Sequence, residues 1–173
     1  GSYRPTTSSG DTVIKYTIGL CVAVFFLQNM TATTPALTDG ISAVLNLDPL
    51  AFRYGQFWRV LTYGVCHGGI GHLFFNMIGL WCFGRVIEQL FGSRETTAFL
   101  VVSTIFSGLI YVIAAGLTNS MTPAVGASGG IFAVVVLTAF LYPRMPVYLM
   151  FISIPIQLRF LAAFFIGYDL LSV

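Results

Sequence analysis

Charge is what this sequence has least of. Only 8% of its 173 residues are Asp, Glu, Lys or Arg and 57% are apolar, whereas roughly a quarter of a soluble domain is charged. That excludes an ordinary soluble protein and points to a polytopic membrane protein. The eight basic residues are scattered and the net charge is +2. With no Lys/Arg block to neutralise a phosphate backbone, no nucleic-acid partner is expected. Cysteines are few: Cys21, Cys66 and Cys82 share no metal-type spacing and lie in or beside apolar runs, as small core residues do. Histidine is scarcer still. His67 and His72, five residues apart, fall on different helix faces with no Cys or carboxylate beside them, so neither a metal nor a cofactor is expected. A phosphate-binding loop is missing, and so is the strand-helix alternation that a soluble nucleophile elbow needs. Internal repeats and paired broken helices, the marks of a transporter, are also missing.

What remains is a series of apolar runs. Residues 1–12 read as a disordered tail whose Gly-Ser start is an expression scar, without the pattern of a cleaved signal peptide. Residues 13–173 read as one membrane domain, incomplete at its C-terminus. Five spans are expected: Val13–Met30, His72–Ile87 (interrupted by Gly79 and Gly84), Thr97–Leu117, Ser128–Leu141 and Leu158–Val173. The last stops in mid-run. Between the first two lies a long loop, Thr31–Tyr63, whose Phe52, Tyr54, Phe57 and Trp58 fit the membrane interface. Val147–Ile154, cut by Pro155, is too short to cross and is expected as a connector. The fold class is therefore all-α, a polytopic helical bundle. Counting basic residues by side places the N-terminus in the cytoplasm. Arg4, Lys15, Arg85, Arg94, Arg144 and Arg159 then lie inside and only Arg53 and Arg59 outside. A bacterial inner membrane is the expected location.

One stretch carries chemistry. In Thr122-Pro123-Ala124-Val125-Gly126-Ala127-Ser128-Gly129-Gly130 a single hydroxyl is set among glycines at the head of an apolar helix. Ser128 falls in the first turn, where backbone N–H groups lack intrahelical partners and the helix dipole favours an oxyanion. Gly126 and Gly129 leave the hydroxyl uncovered for a substrate backbone. Taken alone, the stretch is better explained by close helix packing, for which small residues are the usual interface in lipid.

His72 and Asn76, four apart, put an imidazole and an amide on one helix face. Both enter from the same side of the membrane as Ser128, so three polar groups share a depth at which each needs a cavity or a partner. Facing Ser128, the two side chains would donate to an oxyanion; spacing alone also allows His72 as a base. The packing alternative is a pair of interhelical hydrogen bonds. Agreement of all three groups in depth favours catalysis.

Trp58-Arg59, then His67 and His72-x-x-x-Asn76, then Gly84-Arg85-Val86-Ile87-Glu88-Gln89-Leu90-Phe91-Gly92, then Gly126-x-Ser128-Gly129 resemble, in order and spacing, the motifs of the rhomboid intramembrane serine proteases. The resemblance covers about residues 13 to 173. It implies a six-helix core, of which five helices are present here, that cleaves transmembrane protein substrates within the lipid bilayer near its outer face. It implies Ser128 as nucleophile and an oxyanion site of His72, Asn76 and the Ser128 backbone. Further implications are a Trp58-Arg59 loop embedded beside the site, Glu88 bracing helices on the inner side, and Phe132 against the catalytic imidazole. The family's general base is a histidine on the sixth helix, which neither His67 nor His72 matches. The expectation is a chain cut short before that helix and inactive in this form; the alternative is a non-catalytic relative that binds transmembrane helices.

Overall fold

A long apolar run must satisfy its backbone polar groups internally in lipid, and a helix does so. The computed structural model describes residues 12–32, 40–147, 156–160 and 162–163. Three of its helical stretches are long and apolar enough to cross a bilayer: Thr12–Thr31, Ile70–Phe91 and Ser93–Thr118. The expected tail before Thr12 and most of both the Val147–Ile154 connector and the fifth span lie outside the described residues.

Helix α1 (Thr12–Ala32) is the first span. The segment expected as a long loop is partly helical, holding three short helices, α2 (Ser42–Leu45), α3 (Pro49–Arg53) and α4 (Arg59–Thr62), with a 3-10 turn at Tyr63–Val65. Local chemistry accounts for α3. The Asp48 carboxylate accepts from Leu50 N–H (2.8 Å) and Ala51 N–H (3.1 Å), and Pro49 sits where a missing N–H costs nothing.

The second span is α5 (Ile70–Gly79), a π turn (Leu80–Gly84) and α6 (Arg85–Phe91) in one run. It starts two residues before and ends four residues after the expected His72–Ile87, because the stop is Gly92 at φ 92°. Gly79 and Gly84 therefore do not interrupt the span. Between them the wider turn keeps Leu80, Phe83 and Ile87 all in the core. Helix α7 (Ser93–Thr118) begins at once after Gly92, four residues ahead of the expected Thr97, and ends on Asn119 in the left-handed conformation (φ 54°).

Helix α8 (Ser128–Leu141) has the bounds read from the sequence. Its length corrects the expectation of a fourth full span: 14 residues at about 1.5 Å each give about 21 Å, against about 30 Å of hydrocarbon. It is the most enclosed helix, burying Gly130, Ile131, Val134, Val135, Thr138 and Ala139. Ile131, Val134, Val135 and Ala139 share one cluster with Ile14 of α1 and with Leu80, Phe83 and Ile87 of the second span. Beyond α8, strands β1 (Pro146–Val147) and β2 (Ile156–Gln157) pair antiparallel across the two ends of the expected connector.

Candidate active site

Ser128 is the first residue of α8 and is exposed. The chain reaches it through Gly126, whose φ of 119° is one that L side chains rarely adopt. A second reason for glycine is its neighbour. A Cβ on Gly126 would stand 2.6 Å from His72 Cε1, 2.7 Å from His72 Nε2 and 3.7 Å from Asn76 Nδ2. The imidazole edge and the carboxamide thus converge on the backbone just before the serine. Two trans peptides limit the Gly126–Ser128 Cα separation to about 7.6 Å, so the three side chains belong to one neighbourhood.

Asn76 is only 8% exposed, and its buried Nδ2 has no hydrogen-bond partner. A buried amide donor left open costs free energy, unless something it donates to arrives later. His72 is exposed and stacks edge-on against His67, ring centroids 5.2 Å apart. His67 is 3% exposed and both its ring nitrogens lack partners. Burial, and secondarily the His72 charge, push its pKa down to about 4, so its ring is neutral at pH 7.

A run of bonds fixes the approach to Ser128. Gly126 N–H donates to Tyr63 O (3.0 Å), and Ala124 and Leu47 exchange a pair of backbone bonds (2.9 and 3.0 Å). Leu47 is in turn held from the next residue back. Arg59, 5% exposed, donates through Nη1 to Asn46 O (2.5 Å) and through Nη2 to Ala43 O (2.6 Å), while Gln56 Oε1 takes Nε (2.8 Å). Trp58 Nε1 donates to Val44 O at 3.2 Å. Trp58 and Arg59 therefore clamp α2 and, through Leu47, the strand of chain that delivers the serine. Tyr111 O–H donates to Thr122 O from the other side.

Gly129 packs against α7, where a Cβ would collide with Ser107 Oγ and approach Tyr63 O–H. No spacing in the sequence indicates that Ser107 meets Gly129. Gln28 was missed altogether. Its Oε1 accepts from His67 N–H and its Nε2 donates to Ser42 Oγ, both at 3.0 Å, tying α1 to the histidine loop and α2. A buried glutamine closing an apolar run was the available signal.

One expected site residue, Glu88, stands apart. Glu88, 2% exposed, accepts from Val13 N–H (2.9 Å), Ile14 N–H (3.1 Å) and Ser93 O–H (2.6 Å), capping α1 and joining it to the start of α7. Phe132 is half-buried one turn into α8 from Ser128.

Three helices long and apolar enough to cross a bilayer, packed with a short buried helix headed by an exposed serine, define an integral membrane helical bundle. The family model of the Rhomboid domain matches residues 54–173, and the chain belongs to the rhomboid family. RHOMBOID-like protein 12, mitochondrial, of Arabidopsis thaliana is 32% identical over 136 residues, 70% of this chain and 40% of that protein. Rhomboid protease GluP of Bacillus subtilis is 35% identical over 122 residues, 66% of this chain and 22% of its own length. Rhomboid protease GlpG of Klebsiella pneumoniae is 30% identical over 92 residues, 53% and 31%. The chain thus spans two fifths or less of each of these relatives.

Proposed function

We propose that residues 13–173 form the serine-bearing part of an intramembrane endopeptidase that cuts transmembrane protein substrates. Ser128 Oγ attacks the scissile carbonyl carbon, and the oxyanion that forms takes hydrogen bonds from His72, Asn76 and the Ser128 N–H. The serine proton passes to a histidine outside residues 1–173 and then to the leaving amine; water hydrolyses the acyl-enzyme and frees Ser128. The observation that carries this reading is the buried, unpartnered Asn76 Nδ2 aimed, with the His72 edge, at the Gly126 entry to α8.

Depth supports the same reading. If α8 reaches one membrane face with its C-terminal end, its shortfall leaves Ser128 about 9 Å below the other face. By the count of basic residues that is the outer face, with the N-terminus in the cytoplasm. A substrate must unwind there, since a helical carbonyl is engaged by its own helix. Some relatives, RHOMBOID-like protein 12 among them, are named rhomboid-like rather than protease, and the second reading, a non-catalytic binder of transmembrane helices, draws on that.

The test uses the full-length protein containing this chain, reconstituted in liposomes with a transmembrane substrate bearing helix-breaking residues. Cleavage and fluorophosphonate labelling at Ser128 are expected, both lost in Ser128→Ala with thermal stability unchanged. Undiminished cleavage by that variant would remove Ser128 as nucleophile. An unlabelled, inactive wild type, beside a labelled control protease, would favour the binder.

A further inference from the structure

Beyond α8, the β1–β2 pairing brings two arginines to one end of the bundle. Its register places Pro146 opposite Gln157 and Val147 opposite Ile156. A 2.9 Å bond from Leu158 N–H to Met145 O carries the ladder one step outward. There the ladder ends: residues 158–160 are helical, and Arg159 N–H donates out of register to Pro143 O at 3.3 Å, which sets Arg159 beside the turn that carries Arg144. Like charges brought together without a counter-ion repel.

Among the described residues neither guanidinium has a carboxylate partner. Arg159 rests over the Phe160 ring, 4.7 Å from its centroid, which leaves its donors free to reach outward. Both arginines line one cavity of about 680 Å³ whose other walls include Val86, Leu141, Tyr142 and Met145.

Two guanidiniums at the rim of an apolar hollow, beside the end of a membrane helix, match a molecule with a phosphate at one end and hydrocarbon at the other. A free inorganic anion would satisfy the cations and leave the Val86, Leu141 and Met145 walls bare. We infer that Arg144 and Arg159 hold the phosphate of an anionic phospholipid of the phosphatidylglycerol class, whose acyl chain lies against those walls. The bound phosphate relieves the repulsion between the arginines and braces the end of the β1–β2 pair. This inference is independent of the proteolytic reading.

The test is thermal unfolding of the detergent-purified full-length protein with added dioleoyl phosphatidylglycerol, dioleoyl phosphatidylcholine or inorganic phosphate. Phosphatidylglycerol is expected to raise Tm by about 3–5 °C, an effect that fades with salt. Phosphatidylcholine and inorganic phosphate are expected to do far less. Arg144→Gln with Arg159→Gln is expected to abolish the response and, without lipid, to melt no lower than wild type. Should the double variant fail to fold, Arg144→Gln alone, at an exposed position, is expected to lose most of the response. Native mass spectrometry of the wild type in mixed lipid is expected to retain phosphatidylglycerol over phosphatidylcholine. An equal shift with inorganic phosphate would reduce the site to a free-anion site and overturn the lipid assignment. A phosphatidylglycerol shift that survives loss of the arginines, or no shift at all, would overturn the site.

Discussion

Gly126 holds the His72 imidazole at a separation that leaves no room for a methyl group, and it does so in a left-handed backbone conformation. Both constraints fail together in Gly126→Ala. Backbone strain costs on the order of 1–3 kcal/mol, and relief requires His72 or the lead-in to Ser128 to move. The expected result is a fall in cleavage by the full-length protein of roughly 100-fold or more, with Tm lowered by several degrees. Wild-type cleavage by this variant would show that the His72 position is not critical to the site.

Asn76 separates catalysis from packing. Loss of one oxyanion donor lowers kcat by about 100- to 1,000-fold. Its Nδ2 has no partner to lose, so Asn76→Ala is expected to leave Tm within about 2 °C of wild type. KM should change little, since the bond forms only as the oxyanion does. A large fall in Tm with kcat intact would instead make Asn76 an interhelical strut.

Much of this was legible in the sequence where local punctuation decides the structure. Pro123 and Gly126 before α8, and Tyr142-Pro143 after it, fix its ends without reference to the rest of the fold. The His72–Asn76 spacing likewise puts both groups on one face of any helix. The positions of the short helices within Thr31–Tyr63 were not legible because they are held by distant bonds: Arg59 to Ala43 and Asn46, Thr62 to Leu45, Leu47 to Ala124. The π turn at Leu80–Gly84 is set by what packs on it, and the meeting of Gly129 with Ser107 joins two helices that no spacing rule connects. Only α3, with its Asp48-Pro49 start, announced itself and was overlooked.

Glu88 carries stability rather than chemistry. Both its oxygens accept, one from Val13 N–H and Ser93 O–H and the other from Ile14 N–H. Glu88→Gln keeps the shape but turns one acceptor into a donor facing donors. The expected cost is about 1–3 kcal/mol for the buried group left unsatisfied, plus a few tenths for the charge lost at the head of α1. Thermal unfolding in detergent should register it as a clear drop in Tm. Residual fluorophosphonate labelling at temperatures below the new Tm should persist. An unchanged Tm would mean that these bonds contribute nothing net.

His67 makes stability depend on pH in a direction opposite to that of a paired histidine. Its folded-state pKa is pushed down to about 4, by burial first and the neighbouring His72 second, against about 6.5 when unfolded. The folded state therefore favours the neutral ring. Stability from this source is fully present above about pH 6.5 and is lost progressively as pH falls toward 4. Between pH 7 and pH 5 the expected loss is roughly 2 kcal/mol. His67→Asn, which has no charge to gain, should melt with a flatter pH profile even if its Tm at pH 7 is lower. Comparing the two proteins at each pH cancels the groups they share. Parallel Tm curves from pH 7 to 5 would mean that protonated His67 is accommodated, by water or by movement of His72, and that its ring is not held in the dry setting described above.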